Sequence, residues 1–457
     1  MHDLTQGSIP RHLLRLAAPI AIGMLFQTLY YLIDLYFVAG LGDAAIAGVS
    51  AAGNVQFIVM ALTQILGVGT MALIAHASGR KDQADANLIF NQSLLLAAAC
   101  ALITLVGGYA LTGFYMRRLG ADAAAIAAGI SYLYWFLPGL ALQFAMVAMG
   151  SALRGTGIAK PTMVVQLATV VANALLAPVL IAGWLTGRPM GVAGAGLAST
   201  LAIALGVAMM FGYFRKLETF VGFDRDLLRA RLEVWRRILR IGLPPGGEFA
   251  LMFVYLGTIY WLIRDFGAHA QAGFGIGMRL MQAIFLPAMA IAFATAPIAG
   301  QNMGAGQHER VRAVFRSAVW IGSVIMAVLT LLCQWRPELL MTGFTDDPMV
   351  TAVGADYLRI ISWNFVASGL IFTCSGMFQA LGNTIPAVIS SASRMLSFVL
   401  PALWLSRQPG FNLHQLWLLS VASVGVQAGV SLLLLRREFA RRLDAATLRV
   451  PSPIAGA

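Results

Sequence analysis

The sequence predicts an all-α membrane protein with twelve transmembrane helices in two six-helix lobes. Composition, segment length and an internal repeat each support this prediction. Of 457 residues, 59% are hydrophobic and 11% are charged, whereas a soluble domain carries roughly a quarter charged residues. The mean hydropathy is +0.79. The apolar segments are far longer than barrel strands and do not alternate with polar residues, so helices are the expected spanning form.

Twelve apolar segments are long enough to cross the hydrocarbon core, which takes about 20 residues in a helix. We place the first six at 14–38, 46–75, 88–112, 124–150, 161–183 and 191–214. The second six follow at 241–264, 271–299, 313–335, 355–380, 385–405 and 412–435. The first segment is too long for a signal peptide and no small-residue cleavage site follows it, so we expect it to be retained.

The second six spans repeat the first six at a constant offset of 225 residues. Because six is an even number, both halves start on the same side of the membrane, which predicts a parallel repeat with a site between two lobes. We expect an N-lobe at 1–214, a cytoplasmic linker at 215–240, a C-lobe at 241–440 and a tail at 441–457. The offset pairs identical residues, among them Arg15 with Arg240, Pro19 with Pro244, Tyr30 with Tyr255, Tyr132 with Tyr357, and Gly157 with Gly382.

The distribution of basic residues predicts the orientation. The net charge is +12, and 22 of the 31 Lys and Arg residues fall in the termini and loops of one side, against six on the other. Such an asymmetry fixes membrane topology, so we expect both termini in the cytoplasm and no nucleic-acid partner. Within the linker, Leu228, Leu232, Trp235 and Leu239 recur at helical spacing opposite arginines, which predicts an amphipathic helix in the headgroup region.

The three cysteines and six histidines show no spacing typical of disulfides or metal sites. We expect the cysteines, Cys100, Cys333 and Cys374, to be small buried side chains. We therefore predict neither a metal site nor a cofactor. A membrane-embedded enzyme is disfavoured too, because HExxH, GxSxG and paired-carboxylate motifs are absent from the spans.

Asp34 is the only charged residue of the segment 16–38. A carboxylate in the hydrocarbon region costs about 3 kcal/mol on insertion scales, so it is expected to face protein or a wet cavity. Tyr30 lies one helical turn earlier on the same face and can hydrogen-bond near it. The alternative is a helix-end aspartate that reaches the outer interface.

These residues resemble a known family. LAAPIAIGMLFQTLYYLID in span 1 and the loops RGTGIAKP (154–161) and QALGNTIP (379–386) are similar to those of MATE multidrug and toxic-compound exporters. The resemblance covers roughly residues 8–440 and is closer to the prokaryotic DinF-like branch than to the NorM-like branch. It implies a bacterial inner-membrane antiporter, expected to be a monomer, that exports amphipathic, cationic compounds by alternating access.

The resemblance also implies site residues in the N-lobe. Span 1 carries Gln27, Tyr30 and Asp34 at the DinF-like spacing, and Pro19 matches a proline that permits a bend. In span 5, Asn173 matches the family's asparagine, and in span 6 Ser199 falls where the family usually carries a threonine. We assign cation coupling to Tyr30, Asp34 and Asn173, and substrate binding to these three with Gln27, Ser199 and Arg279. Helix–helix hydrogen bonding is the alternative role for Tyr30, Asn173 and Ser199.

One position departs from the DinF-like pattern. Four residues after Asn173, that branch often has a second aspartate, and here the residue is Ala177. The loss of a carboxylate favours a proton over Na⁺ as the coupling ion, because a sodium site needs several converging oxygen ligands. Na⁺ remains the alternative ion.

The C-lobe spans carry three charged residues of their own. Glu248 in span 7 lies about a turn before the helix-7 glutamate position of the NorM-like branch, near Met252, so we do not transfer that role. We expect Glu248 to form a structural ion pair with Arg394 of span 11, which enters from the same side. Arg279 in span 8 either lines the central cleft or pairs with Asp265 or Asp356 near the outer surface.

Two function classes compete with drug efflux: a membrane-embedded enzyme, and a lipid or oligosaccharide-lipid flippase. The flippase belongs to the same superfamily and is the stronger alternative. Growth protection against cationic dyes and antibiotics discriminates between them, since a flippase would give none.

Overall fold

The structure is a computed structural model and describes residues 2–119, 122–184, 187–216 and 218–444. In the first half the helices are α1 (Ile9–Ala39), α2 (Asp43–Gly79), α3 (Gln83–Leu119), α4 (Ala123–Gly155), α5 (Lys160–Ile181) and α6 (Val192–Lys216). In the second half they are α7 (Leu232–Ile263), α8 (Ala268–Gly304), α9 (His308–Trp335), α10 (Pro337–Thr342), α11 (Pro348–Ile361), α12 (Phe365–Ala380), α13 (Ile385–Leu405) and α14 (Leu413–Phe439). Of the tail that the sequence predicts at 441–457, residues 445–457 lie outside the described residues.

Twelve helical segments of the described chain are long and apolar enough to cross a membrane, which confirms the predicted number. The tenth, Pro348–Ala380, comprises α11, a 3₁₀ turn at Ser362–Asn364, and α12. The interruption exposes backbone carbonyls that need partners. Thr330 of α9 donates to the Ser362 carbonyl at 3.0 Å, and Gln334 donates to the Arg359 carbonyl at 2.6 Å. Side chains of the neighbouring helix thus stabilise the broken span.

The described chain forms two compact units. The first unit comprises residues 2–3 and Ala18–Leu243, and the second comprises Leu4–Ala17 and residues 244–444. Both boundaries inside helices fall next to prolines, Pro19 in α1 and Pro244 in α7. The start of α1 therefore belongs to the second unit and the start of α7 to the first, whereas the sequence-based lobes divide at the linker.

The connector before α7 is part of the first unit. Residues 219–231 exchange hydrogen bonds with a polar stripe at the start of α3, where Asn87, Asn91 and Gln92 lie within two turns of one another. Asn87 and Asn91 bond to the backbone of Gly222 and Asp224, and Gln92 bonds to that of Leu227, Arg229 and Arg231 at 2.7–2.8 Å. The predicted amphipathic helix begins only at Leu232.

A glycine contact packs the start of α7 against α2. A side chain at Gly242 would collide with the Ile65 backbone, so only glycine permits this approach. Ile238 and Ile241 are buried beside it in the core of the first unit, with Trp235 and Leu239 packed on its edge. The face of the linker that the sequence assigned to lipid headgroups is thus partly a protein core.

The second unit has an aromatic core of its own. The rings of Phe274 and Trp417 stack at 5.5 Å, and Tyr357 meets Trp417 edge-on at 4.9 Å. Phe398 is fully buried and lies 4.8 Å from the Tyr255 ring. Large rings on α7, α8, α11, α13 and α14 fill this core.

Candidate cation and substrate site

Asp34 lies five residues before the end of α1 and is 9% exposed. A carboxylate that reached an aqueous interface would be far more accessible, so the structure favours the buried alternative over the interfacial one. One carboxylate oxygen, Oδ1, is buried and makes no hydrogen bond with any described residue. A buried charged oxygen without a partner is energetically costly.

The hydroxyl of Tyr132 on α4 donates to Asp34 Oδ2 at 3.3 Å. The sequence did not assign Tyr132 to the site; its only distinction there is the repeat partner Tyr357. A tyrosine on a different span, about 100 residues away, cannot be matched to Asp34 by spacing alone. The pairing depends on how α1 and α4 meet.

Asn173 of α5 and Ser199 of α6 also lie beside the Asp34 carboxylate. Both side chains are fully buried. Yet Asn173 Oδ1, Asn173 Nδ2 and Ser199 Oγ make no hydrogen bond with the described residues. The Asp34 cluster, defined here as Tyr30, Asp34, Tyr132, Asn173 and Ser199, comes from four helices.

Next to the cluster, the backbone hydrogen bonds of α4 are interrupted, and a side chain of α6 bridges the interruption. Pro138 has no N–H, so the Tyr134 carbonyl loses its helical partner; Tyr109 Oη donates to it at 2.9 Å. The Thr200 hydroxyl bridges the next gap, donating to the Trp135 carbonyl at 2.6 Å and accepting from the Gly139 N–H at 3.1 Å. This bridge fixes α6 against α4 one residue after Ser199.

Close backbone approach adds to this fixation. A Cβ on Gly196 would lie 2.5 Å from the Tyr132 carbonyl oxygen, so glycine alone permits the contact. Gly196 precedes Ser199 by one turn of α6. Ser199 and Tyr132 are thereby held near the same carboxylate.

The wall of the cluster is apolar. Tyr30 is 8% exposed and packs with Val170 and Ala202, and Phe26 and Ile33 pack on the same group. Ala177, where the resembled branch has an aspartate, is fully buried. Among the described residues of the cluster the only formal charge is that of Asp34. The arrangement can bind one proton or one positively charged group, and its apolar wall suits a hydrophobic body attached to that charge.

Two other predicted site residues, Gln27 and Arg279, lie elsewhere. Gln27 is exposed on α1 and does not join the buried cluster. Arg279 is exposed on α8, and neither proposed acidic partner binds it, because Asp265 pairs with Arg264 at 3.3 Å and Asp356 with His414 at 3.6 Å. Pairing of Arg279 near the outer surface is therefore not observed.

The expected ion pair between Glu248 and Arg394 is not formed. The Arg394 guanidinium lies over the Tyr255 ring, 4.5 Å from its centroid, and its Nε atom has no hydrogen-bond partner. Glu248 lies beside Ser391, and its Oε1 atom is likewise unpaired. The aromatic face of Tyr255 attracts the guanidinium instead, and matching depth along two helices does not ensure that two side chains point at each other.

Comparison with known proteins places the chain among transporters. The family model MatE matches residues 19–179 and 244–405, so the two matches start 225 residues apart. "Probable multidrug resistance protein YpnP" of Bacillus subtilis is 26% identical over 438 residues, 94% of each chain. A "FAD transporter" of Shewanella oneidensis is 23% identical over 406 residues, 88% of each chain.

A solved structure, described as the outward-facing conformation of a multidrug resistance MATE family transporter of the MOP superfamily, shares the fold. Its TM-score is 0.89 at 25% identity, covering 96% of this chain and 98% of that one. The all-helical architecture with twelve spans is thus confirmed at the level of the fold. The two matches of the family model cover most of the chain, and the protein belongs to the MATE family of membrane transporters.

Proposed function

We propose that this transporter is a proton-coupled exporter of amphipathic organic cations. The observation that carries the proposal is the Asp34 cluster: one carboxylate with an unpaired oxygen, together with an unpaired buried amide and hydroxyl, against an apolar wall. Relatives with multidrug names support the substrate class. The FAD transporter relative handles an anionic molecule by its name, and the cluster here offers no basic side chain for one.

In this proposal Asp34 binds either a proton or a cationic substrate. When ionised, it holds the substrate charge, with Asn173 and Ser199 supplying hydrogen bonds. When a proton enters from outside, the attraction is lost and the substrate leaves. Alternation between outward- and inward-facing states then exchanges one for the other across the membrane. Pro19, inside α1 and next to the boundary of the two units, is the position where α1 would bend.

A single carboxylate favours protons over sodium at this site. Sodium takes several oxygen ligands, and Ala177 removes a possible second carboxylate. A carboxylate needs no further ligand to bind a proton. Consistent with the basic-residue asymmetry, we place the protein in the bacterial inner membrane as a monomer with both termini in the cytoplasm.

Dye efflux from proteoliposomes tests the coupling ion, with pH and sodium gradients imposed separately. We expect a pH gradient alone, without sodium, to drive export of a cationic dye, and export to fade as the external pH rises because the driving protonation is lost. Full efflux driven by a sodium gradient at constant pH, with none driven by a pH gradient, would contradict the proposal. Growth protection against a dye panel separates export from lipid flipping, which would give no protection.

A further inference from the structure

Arg394 of the second unit lies near the middle of a membrane span. It follows the first residue of α13, Ile385, by nine positions and precedes the last, Leu405, by eleven. An arginine at this depth is costly in lipid, so its charged group is expected to face protein, water or a bound anion. Glu248, the acidic side chain that the sequence places beside it, does not pair with it. The positive charge therefore lacks its predicted partner.

The contact that the guanidinium does make leaves hydrogen-bonding capacity unused. It lies over the Tyr255 ring, 4.5 Å from the centroid. A ring face attracts the positive charge but does not replace hydrogen bonds in the guanidinium plane. The Nε atom makes no hydrogen bond with any described residue, whereas buried donors in native proteins almost always have an acceptor. Arg394 as a whole is only partly buried, so a guest can reach its side chain.

Further hydrogen-bond donors lie around Arg394. Tyr255, Tyr260 and Arg394 all lie within range of electrostatic interaction with the Tyr357 hydroxyl. This hydroxyl donates to the Met278 sulfur at 3.1 Å, and a thioether is a weak acceptor. A carboxylate oxygen would be a much better partner for the same O–H group.

The indole of Trp417 adds an unpaired donor to the same group of rings. Trp417 is 1% exposed, and its Nε1 atom makes no hydrogen bond with the described residues. Its ring meets Tyr357 edge-on at 4.9 Å. The side chains named here thus supply one positive charge and several N–H and O–H donors, which complement a negatively charged guest.

Aromatic rings form the apolar part of this surface. Phe274 meets Tyr260 and Tyr357 edge-on, each at 5.2 Å. Tyr260 is 42% exposed, so its ring is accessible to a guest. Such rings pack favourably against another flat apolar group. The surface therefore suits an anion with an aromatic body rather than a small inorganic ion.

The charge of the site selects the acid group. One guanidinium balances one negative charge, and its planar N–H groups match the two oxygens of a carboxylate. A phosphate monoester carries close to two negative charges at neutral pH and would need a second basic group. A monocarboxylate is therefore the acid that this site fits best.

We propose that Arg394 and the tyrosines beside it bind the carboxylate of aromatic organic acids. The guanidinium pairs with the acid group, the Tyr357 hydroxyl donates to it, and the ring of Tyr260 packs on the aromatic body. Every residue of this site belongs to the second unit. The site is thus separate from the Asp34 cluster, and it extends the ligands of this protein from organic cations to organic acids.

Equilibrium dialysis of the detergent-purified full-length protein tests the proposal with a matched pair of ligands, naphthoate and naphthamide. The two share the same ring and nearly the same shape, but only naphthoate is charged at neutral pH. Uptake by empty micelles is measured separately and subtracted. We expect saturable binding of naphthoate and binding of naphthamide that is weaker by about tenfold or more, because the amide lacks the charge that pairs with arginine.

Substitutions of Arg394 locate the acid group. Arg394→Gln should weaken naphthoate binding by about tenfold and change naphthamide binding by less than about twofold, since only the charged pair is lost. Arg394→Lys keeps the charge without the planar group, so we expect a smaller loss; it also serves if Arg394→Gln folds poorly, as judged by size-exclusion elution. Arg407→Gln is the matched control, because Arg407 is an exposed arginine just beyond the end of the same helix.

Four results would overturn the proposal. Equal binding of naphthoate and naphthamide by the wild type would show that the rings alone hold the guest. Unchanged naphthoate binding in Arg394→Gln, or an equal loss in Arg407→Gln, would place the acid group elsewhere. Full displacement of naphthoate by an equimolar amount of chloride or sulfate would assign the site to inorganic anions instead of organic acids.

Discussion

The two halves of the repeat place opposite chemistry at equivalent positions. In the first unit, Asp34 and Asn173 are buried polar residues with unpaired atoms. The 225-residue offset pairs them with Ile259 and Phe398 in the second unit, which are 3% and 0% exposed and belong to its aromatic core. Tyr255, the equivalent of Tyr30, donates to or accepts from Ser420 at 2.9 Å. One half retains unsatisfied polar groups where the other is packed with apolar side chains.

This difference distinguishes residues that the repeated fold requires from residues that binding a ligand would require. The second unit packs Ile and Phe at these positions in its core. The repeated architecture therefore does not itself require polar side chains there, and leaving buried polar atoms unpaired costs free energy. The cost is explained if the first unit binds a charged guest. At two other pairs of equivalent positions the polar residue is in the second unit. Glu248 and Ser390 correspond to Gly23 and Val165 in the first unit.

Substitution of Asp34 is the largest expected effect. We expect Asp34→Asn to abolish gradient-driven dye efflux while the unfolding midpoint stays close to wild type, because neutralising a buried carboxylate removes a desolvation cost. Asp265→Asn is the control, since Asp265 is an exposed acid paired with Arg264 at the end of α7. Wild-type efflux rates in Asp34→Asn, or equal loss in the control, would contradict the assignment.

Asn173 and Phe398 are equivalent positions of the repeat, and substituting each tests whether one serves function and the other stability. Phe398→Ala should lower the free energy of unfolding by about 3 kcal/mol or more, because it leaves a large cavity in a packed core. Asn173→Ala should leave stability within about 1 kcal/mol of wild type, since its amide makes no hydrogen bond to lose, and should reduce efflux. Denaturation in detergent and proteoliposome efflux measure the two effects. A large loss of stability in Asn173→Ala would show that the amide is structural.

The two equivalent tyrosines provide the smallest contrast. Tyr132 donates to Asp34, whereas Tyr357 points its hydroxyl at the Met278 sulfur, 3.1 Å away. We expect Tyr132→Phe to weaken binding of a cationic dye about fivefold, the effect of losing a hydrogen bond worth about 1 kcal/mol. Tyr357→Phe should change it by less than about twofold, because a thioether is a weak acceptor. Equal effects of both substitutions in a dye-binding titration would remove the distinction between the halves.

Periodic and compositional features of the chain were predictable from the sequence. The twelve spans follow from segment length, because no backbone can cross lipid without satisfying its own hydrogen bonds. Asp34 stands out because a charge in an apolar span is costly. Asn173 and Ser199 came from the family resemblance, and the structure places both beside Asp34. Their assignment to coupling and substrate binding stays a prediction.

Side-chain direction was not predictable. Tyr132 of α4 reaches Asp34 of α1 because of how these two helices meet, and no spacing rule encodes that contact. The prediction of a Glu248–Arg394 ion pair was wrong for a related reason. Depth along a helix does not determine the direction around the helix axis in which a side chain points. The guanidinium lies over the Tyr255 ring, and the carboxylate lies beside several serine side chains.

Dye binding as a function of pH tests the central claim that one group, Asp34, binds either a proton or the substrate. The measurement is the affinity of the detergent-purified protein for a permanently charged cationic dye, in wild type and Asp34→Asn. In the wild type we predict that binding weakens as the pH falls, because protonation removes the negative charge that holds the dye. Asp34→Asn should bind weakly at every pH, with no such dependence. The same pH dependence in both proteins would contradict the account, since the titrating group would then lie elsewhere.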